Sequence, residues 1–404
     1  MEDVDIASAL KVLNSPEGRA EPYAAYAAMH AHGPVIPFGR RVHIIVGYDH
    51  VDAMMRDSRL LLDGTVSLDR YVRNWREHPS MQMMANSLHS VNPPDHTRVR
   101  RVFGAAFTAR RVAAMQEKIE QRVDRLIDTL LESRGGSVEF METFAYPLPL
   151  GIFCDLMGVP DADGEWLRPH WDELVKVQNM QFGEALFSAD HATAELSRYF
   201  DRLVAERRAE PRDDFLTALL EANDTAVEGL DHDELIANLV LLLMAGWETV
   251  ANMLGSGLVI LLEHPEQARR LREDPSLGPG FVDEILRMES PIQWTLRWAA
   301  EDITVAGVNV KANQHVQMML GAANRDPNRF PDPDRFDPDR PNNHPLTFGA
   351  GAHICLGQAL GRLQGRIAFP QLLRRLPDLA VAEEPTRLDR PAQRGYSKLP
   401  VSVG

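Results

Sequence analysis

Two groups of residues in this chain have the types and spacing to do chemistry, and they lie far apart in sequence. The first centres on Cys355, in Phe348-Gly349-Ala350-Gly351-Ala352-His353-Ile354-Cys355-Leu356-Gly357. Glycines at 349 and 351 let the backbone turn tightly and approach a partner closely. A helical pattern beginning near Leu356 turns its amide groups and positive dipole end back toward the sulfur, which favours the thiolate. A thiolate presented this way suits the axial position of iron in a large flat cofactor; the other use of such a residue is a buried structural cysteine. The second group is Ala245-Gly246-Trp247-Glu248-Thr249, at the centre of a long apolar segment. A threonine inside a helix can donate its hydroxyl to the carbonyl four residues back, here Ala245, and Gly246 weakens the helix where that bond falls. A local opening with room for a diatomic and a water is expected there. Glu248 beside Thr249 sets an acid next to an alcohol, the pair that passes protons to reduced dioxygen; a kinked helix with a satisfied polar pair is the purely structural alternative.

The elements that must position these groups are mostly helical. The apolar segment predicts one buried helix from about Asp233 to Glu263. From Arg101 to Ser133, apolar residues recur at intervals of mostly three to five, which predicts successive amphipathic helices. Strand-like runs are few: Val42 to Gly47, Ile303 to Val310 and Leu399 to Val403. A Pro/Asp-rich stretch from near Asp326 to Pro341 predicts a packed coil leading into the cysteine loop. The 404 residues are 44% hydrophobic, with no repeat and no long linker, so one domain over residues 1–404 is the economical organisation. Two cysteines, Cys154 and Cys355, without a CxxC or Cys/His cluster, argue against a disulfide framework or zinc site. The N-terminus lacks signal-peptide character, and no window reaches the roughly 18 to 20 consecutive apolar residues of a membrane span. A cytoplasmic protein without membrane attachment is expected. A formal net charge of −15 argues against a general nucleic-acid partner.

The order Phe-x-x-Gly-x-His-x-Cys-x-Gly resembles the cytochrome P-450 family. The likeness covers nearly the whole chain, including Glu284-Ile285-Leu286-Arg287, Ala323 to Pro327 and the terminal Gly395 to Val403. It implies a mainly α fold with small β-sheets, haem lying between a long distal helix and a proximal cysteine-loop helix. The cofactor implied is haem b (iron protoporphyrin IX) with Cys355 as metal ligand. Phe348, Gly349, His353 and Gly357 would line it from the loop, and Ala245 and Gly246 from the distal helix. Haem propionates need cationic partners; His96 and Arg100, four apart, resemble the family's propionate pair, with Arg297 and His353 as further partners. Glu248 and Thr249 would be catalytic in proton delivery. Glu284 and Arg287 would form a buried pair locked to an arginine of the Pro-rich coil, with Arg335 the matching candidate and Arg340 the alternative. Glu248 stands where many members carry aspartate, Gly361 where alanine is common and Gln364 where glutamate is common.

The function implied is a monooxygenase that hydroxylates or epoxidises a bulky, mostly apolar small molecule, as in secondary metabolism. Without a flavin or NAD fingerprint, the electrons must come from outside, from a ferredoxin and an NAD(P)H-driven ferredoxin reductase. A monomer is expected, with Arg101, Arg110, Arg111, Arg362 and Arg366 as a possible docking patch. By analogy the substrate pocket includes Met81, Met84, Met180, Leu241, Trp247, Ile292, Trp294 and Tyr396. The same site could serve oxidative coupling, desaturation or peroxide-driven oxidation; a haem sensor without turnover is a further alternative.

Overall fold

The apolar segment folds as a single helix, His232–Glu263, and the sequence at each end sets its limits. Asp231 Oδ1 accepts from the Glu234 amide at 2.8 Å while Glu234 Oε2 accepts from the Asp231 amide at 3.0 Å. This reciprocal box satisfies two of the otherwise orphaned donors of the first turn. The far end is fixed by Pro265, which opens the next helix, Pro265–Glu273, and forces His264 out of helical geometry. By length and composition this helix could cross a membrane, but most of it is buried inside the protein.

The computed structural model describes residues 6–62, 64–72, 74–178 and 182–404. The chain packs as two compact units, each assembled from several segments: Met1–Leu61, Val123–Pro147 and Thr249–Gly404 form one, Leu62–Arg122 and Leu148–Glu248 the other. Most of the chain is helical, with small sheets, as expected.

The first unit is organised around a five-stranded sheet in the order Val35–Phe38, Val42–Ile45, His315–Met319, Trp294–Ala299, Leu60–Leu61. Val42–Ile45 runs parallel to His315–Met319, and the other pairs are antiparallel. Because side chains alternate across a strand, the two faces build two cores. Val316, Met318 and Ala299 pack with Leu346 and Ala350, so the cysteine loop is anchored on one face. On the other, Met319 packs with Leu10, Tyr26, Met29 and Ile36. Each fully buried Val, Leu or Met side chain in these clusters contributes about 1.5–3 kcal/mol. The run from Ile303 forms a hairpin, Ile303–Val305 with Val308–Val310, turning at Ala306 and Gly307, both at positive φ. The end of the chain supplies Pro400–Ser402 to a small sheet with Ser137–Glu139 and Ala380–Val381.

A buried charge network ties the chain's early helix Tyr23–His32 to its C-terminal segment. Arg394 Nε donates to Glu289 Oε2 at 2.7 Å, Arg387 Nη1 to the same oxygen at 3.0 Å, and the Tyr23 hydroxyl to Glu289 Oε1. Burial alone would raise the Glu289 carboxyl, but the charges of Arg394 and Arg387 outweigh it and hold the group at about 2. A carboxyl depressed in the folded protein stabilises it above the unfolded value near 4.5, and that stability is lost as pH falls toward about 2. Glu289→Gln is therefore expected to cost about 3–5 kcal/mol at neutral pH. Denaturant unfolding from pH 7 to 3 checks this: the difference between wild type and variant should shrink below the unfolded carboxyl pKa. A difference constant with pH would mean that Glu289 acts by packing.

In the second unit, the stretch predicted as successive helices resolves into Asp95–Ala106 and Ala109–Ala114, followed by Gln116–Leu131, which continues into the first unit. Thr108 caps the middle one by accepting from the Arg111 amide at 3.3 Å. Arg98 pairs with Glu234 and fixes Asp95–Ala106 to the start of the long helix. Helices Asp161–Gln178 and Glu184–Ala209 pack against each other beside it.

Candidate active site

The cysteine loop is held from behind by a chain of buried hydrogen bonds. Asn324, fully buried, accepts from the Leu346 amide at 2.7 Å and donates to Thr347 Oγ1 at 3.1 Å. Thr347 in turn donates to the Leu286 carbonyl at 2.6 Å. These bonds fix the turn Leu346–Phe348, after which the backbone passes through Gly349 at φ 71° and Gly351 at φ 70°. A Cβ at 351 would sit 2.6 Å from the Met55 carbonyl oxygen, so only glycine allows this approach. The loop closes with the Cys355 amide donating to the Phe348 carbonyl at 2.8 Å. The following helix is Gln358–Arg375, beginning two residues later than expected. Cys355 is exposed, whereas Cys154 is buried and its thiol is pushed up to about 12 by that burial. The sulfur on the loop is the chemically available one.

Glu284 and Arg287 are both fully buried and bidentate, with Nε to Oε2 at 2.7 Å and Nη2 to Oε1 at 2.8 Å. Arg287 Nη1 also donates to the Pro333 and Asn324 carbonyls at 2.8 and 3.0 Å, coupling the pair to the coil that leads into the loop. The expected third member, Arg335, is corrected. Its side chain is 66% exposed and pairs with Asp337, while Arg340, 6% exposed, places Nε 3.3 Å from Glu284 Oε1. Arg335 takes part through its carbonyl, which accepts from Arg287 and Arg340. Arg340→Ala is therefore expected to cost about 1–3 kcal/mol and Arg335→Ala about 0–1 kcal/mol. Paired denaturation curves check the order; equal losses would restore Arg335 to the role.

Arg297 lies 7% exposed on the strand Trp294–Ala299. It donates to Thr295 Oγ1 at 2.9 Å and the Leu296 carbonyl at 2.8 Å, and among the described residues no carboxylate pairs with it. Burial pulls the guanidinium down to about 10, so it remains a cation at neutral pH in a place suited to an incoming anion. Trp294, expected in the substrate pocket, is three residues from Arg297 and on the opposite face. It packs with the Met319 cluster and donates Nε1 to the Pro391 carbonyl at 2.8 Å, so its side chain is committed to that face and not to the one that carries Arg297.

The long helix is unbroken through Ala245–Thr249, so the expected opening does not interrupt it. Ala245 and Gly246 are exposed, and Leu241, Leu242 and Thr249 are half-buried. These positions form one accessible stripe on an otherwise buried helix, and nothing lies within 4 Å of a Cβ built at Gly246. Glu248 is buried at 2% exposure beside Thr249. Trp247 is turned away from the stripe and packs against Trp171, ring centroids 4.5 Å apart and planes tilted by 57°; its expected pocket role is also corrected. The accessible stripe ends at Thr249; beyond it Asn252 and Ser256 are buried, and among the described residues their side-chain polar atoms have no hydrogen-bond partner. Sequence reading missed them, although polar residues three and seven positions beyond Thr249 in an apolar helix were the available signal. Val250, one residue past Thr249, and Phe348 of the cysteine loop both lie 3.9 Å or less from a Cβ built at Gly361. This part of the helix and the ligand loop are thus neighbours within the first unit.

The remaining expected residues fall as follows. His96 is buried at 2% exposure and Arg100 half-buried on the helix Asp95–Ala106 of the second unit. In that unit Met81 is buried and Met84 half-buried. In the first unit Ile292 packs on the Met318 cluster, Tyr396 is buried beneath Arg387, and His353 is half-buried. Met180 lies outside the described residues. Arg362 donates to Asp283 at 2.7 Å and sits over the Phe348 ring, so it braces the loop.

The cytochrome P-450 family model matches residues 34–276 and 279–392. The chain belongs to the cytochrome P-450 family. It is 36% identical over 395 residues to the P-450 monooxygenase PikC of Streptomyces venezuelae, covering 95% of this chain and 91% of that one. It is 35% identical over 411 residues to 6-deoxyerythronolide B hydroxylase of Saccharopolyspora erythraea, covering 97% and 98%. Among solved structures it resembles P450BioI, crystallised with a fatty-acyl-loaded acyl carrier protein, at TM-score 0.88 and 32% identity over 96% and 99% of the two chains. The protein is therefore a P-450 monooxygenase, an oxidoreductase of a haem-dependent family that acts on small molecules with redox partners. The donor set fits that cofactor: an exposed cysteine sulfur on a glycine-shaped loop for iron, and a buried Arg297 cation that no carboxylate among the described residues pairs, for a propionate.

Proposed function

We propose that residues 1–404 form one P-450 domain that binds haem b and hydroxylates or epoxidises a bulky, mostly apolar natural product in bacterial secondary metabolism. Its electrons would come from a ferredoxin and an NAD(P)H-dependent reductase, and it would work as a cytoplasmic monomer. The observation that carries the reading is the Cys355 loop, fixed by Asn324, Thr347 and two positive-φ glycines. Haem, when bound, supplies the activation of dioxygen and its transfer to substrate. Cys355 gives its thiolate as ligand, with Phe348, Gly349 and Gly357 shaping the loop around it. Arg297 and His353 in the first unit are candidate propionate partners, as His96 and Arg100 are in the second. Glu248 holds a proton at its carboxyl, and Thr249 passes one through Oγ1. The accessible stripe from Leu241 through Ala245 and Gly246 offers an apolar wall for substrate.

Relatives named for PikC and 6-deoxyerythronolide B favour large natural-product skeletons as the first candidates. The test is a titration of the ferric protein with a panel of such compounds, following the Soret band, and then product analysis with a surrogate ferredoxin system. A shift to high spin and an oxygenated product with one scaffold is the expected result. Haem-loaded protein that responds to none of the free compounds but to one of them tethered to an acyl carrier protein would favour the second reading, carrier-bound substrate, for which P450BioI is the precedent. Electron consumption that never oxygenates any bound compound would overturn the monooxygenase reading.

A further inference from the structure

The helix Tyr48–Arg56 leans on the cysteine loop, and its own start is closed from elsewhere in the first unit. The first amide donors of a helix need acceptors, which the residue before it usually supplies from its side chain. That place is Gly47, and no side chain fits there, because a Cβ would meet the Pro34 Cβ at 2.8 Å and the His50 ring at 2.9 Å. Asp326 supplies the acceptor instead. It is 5% exposed and takes the Tyr48 amide on Oδ2 at 2.8 Å and the Asn328 amide on Oδ1 at 2.9 Å. Its carboxylate also sets negative charge at the positive end of the helix dipole. Nine residues are too few to hold a helix by themselves, so the remote cap and the packing of Val51 in the Met318 cluster keep it formed.

The other end of the helix meets the loop. Its last turn places the Met55 carbonyl oxygen 2.6 Å and the Arg56 Cα 3.0 Å from a Cβ built at Gly351, and the Met55 methyl 3.5 Å from one at Gly349. The Tyr48 hydroxyl donates to the His344 carbonyl at 2.6 Å, two residues before the turn Leu346–Phe348. Asp326 follows by two residues Asn324, which bonds that turn directly. One short segment thus holds the loop twice, from behind through Asn324 and from the side through the helix. We propose that Asp326 is a positioning residue for the iron ligand: by capping Tyr48–Arg56 it keeps Met55 against Gly351 and so fixes where the loop presents Cys355. This rests on the reading of Cys355 as that ligand.

The test is hydrogen exchange of the haem-loaded protein, read by mass on peptides covering 346–356, beside the carbon monoxide spectrum of the reduced form. The Gly349, Ile354 and Cys355 amides donate to carbonyls of the loop itself, so their exchange reports its local opening. Asp326→Ala is expected to speed that exchange at least about tenfold and to move part of the spectrum from thiolate to non-thiolate type, while peptides of the strands Trp294–Ala299 and His315–Met319 exchange as before. Asp326→Asn, which keeps one acceptor oxygen, should fall between Ala and wild type. Tyr48→Phe loses only the hydroxyl bond to His344 and should shift both readings the same way by less. It decides the matter alone should Asp326→Ala not fold, and no change in either reading then overturns the proposal. Faster exchange in loop and strands alike means a general loss of stability and also overturns it. So does a loop that keeps its protection and its spectrum after Asp326→Ala, held by Asn324 and Thr347 alone. A wild-type protein without the thiolate-type band would instead remove Cys355 as the ligand, and the proposal with it.

Discussion

Cys355→Ser is expected to abolish turnover and to remove the thiolate-type Soret band of the reduced, carbon monoxide-bound protein. Serine keeps nearly the volume of cysteine, and the bond that closes the loop is made by the backbone amide to the Phe348 carbonyl. The loop should therefore hold its shape, and the fold its stability to within the few tenths of a kcal/mol usual for an exposed position, about ±0.5 kcal/mol. What is lost is the anion: an alcohol does not ionise near neutral pH, so no thiolate electron density reaches the iron. Thiol chemistry gives an independent reading. Burial pushes Cys154 up to about 12, so haem-stripped protein should be alkylated once, at Cys355, and haem-loaded protein hardly at all. A serine variant that retained the thiolate-type spectrum, or a stripped protein labelled at Cys154, would remove Cys355 from the iron.

The features legible in the sequence are those in which local backbone geometry decides. Glycines 349 and 351 announced the loop because their positive φ belongs to the residue type itself, and Asp231 with Glu234 marks the start of the long helix by the same local logic. Glu284 and Arg287 were legible as one helix face. Their third partner was not, because the coil after Asp326 has no period, and whether Arg335 or Arg340 turns inward depends on where Asp332 and its neighbours bend the chain. The two tryptophans are different: periodicity already excluded them. At about 100° per residue, Trp247 is turned away from both Ala245 and Thr249, and Trp294 is an odd number of residues from Arg297 on one strand. Asn252 and Ser256 were legible in principle as polar breaks in an apolar helix.

Thr249→Ala is expected to leave the fold and substrate binding intact while lowering oxygenated product per NAD(P)H consumed by about 10²-fold, the usual weight of a positioned proton donor. Alanine is the best helix former, and Thr249 lies half-buried on the accessible stripe, so the helix loses only a hydroxyl and a methyl. Reducing equivalents from a surrogate reductase system should still be consumed but appear as peroxide instead of product, because Thr249 Oγ1 no longer passes a proton. Glu248 separates a relay from simple polarity. The carboxyl is 2% exposed, so Glu248→Gln keeps its shape and hydrogen-bonding capacity but cannot exchange a proton; it should reproduce the loss and enlarge the solvent isotope effect. Glu248→Asp should restore most of the coupling, since it returns the acid with a shorter reach. If Gln and Asp at 248 couple equally well, the acid serves structure and the protons travel by water along the accessible stripe that ends at Thr249. If only the Gln variant fails, the adjacent acid and alcohol act as one relay, carried by a helix that runs unbroken through both residues.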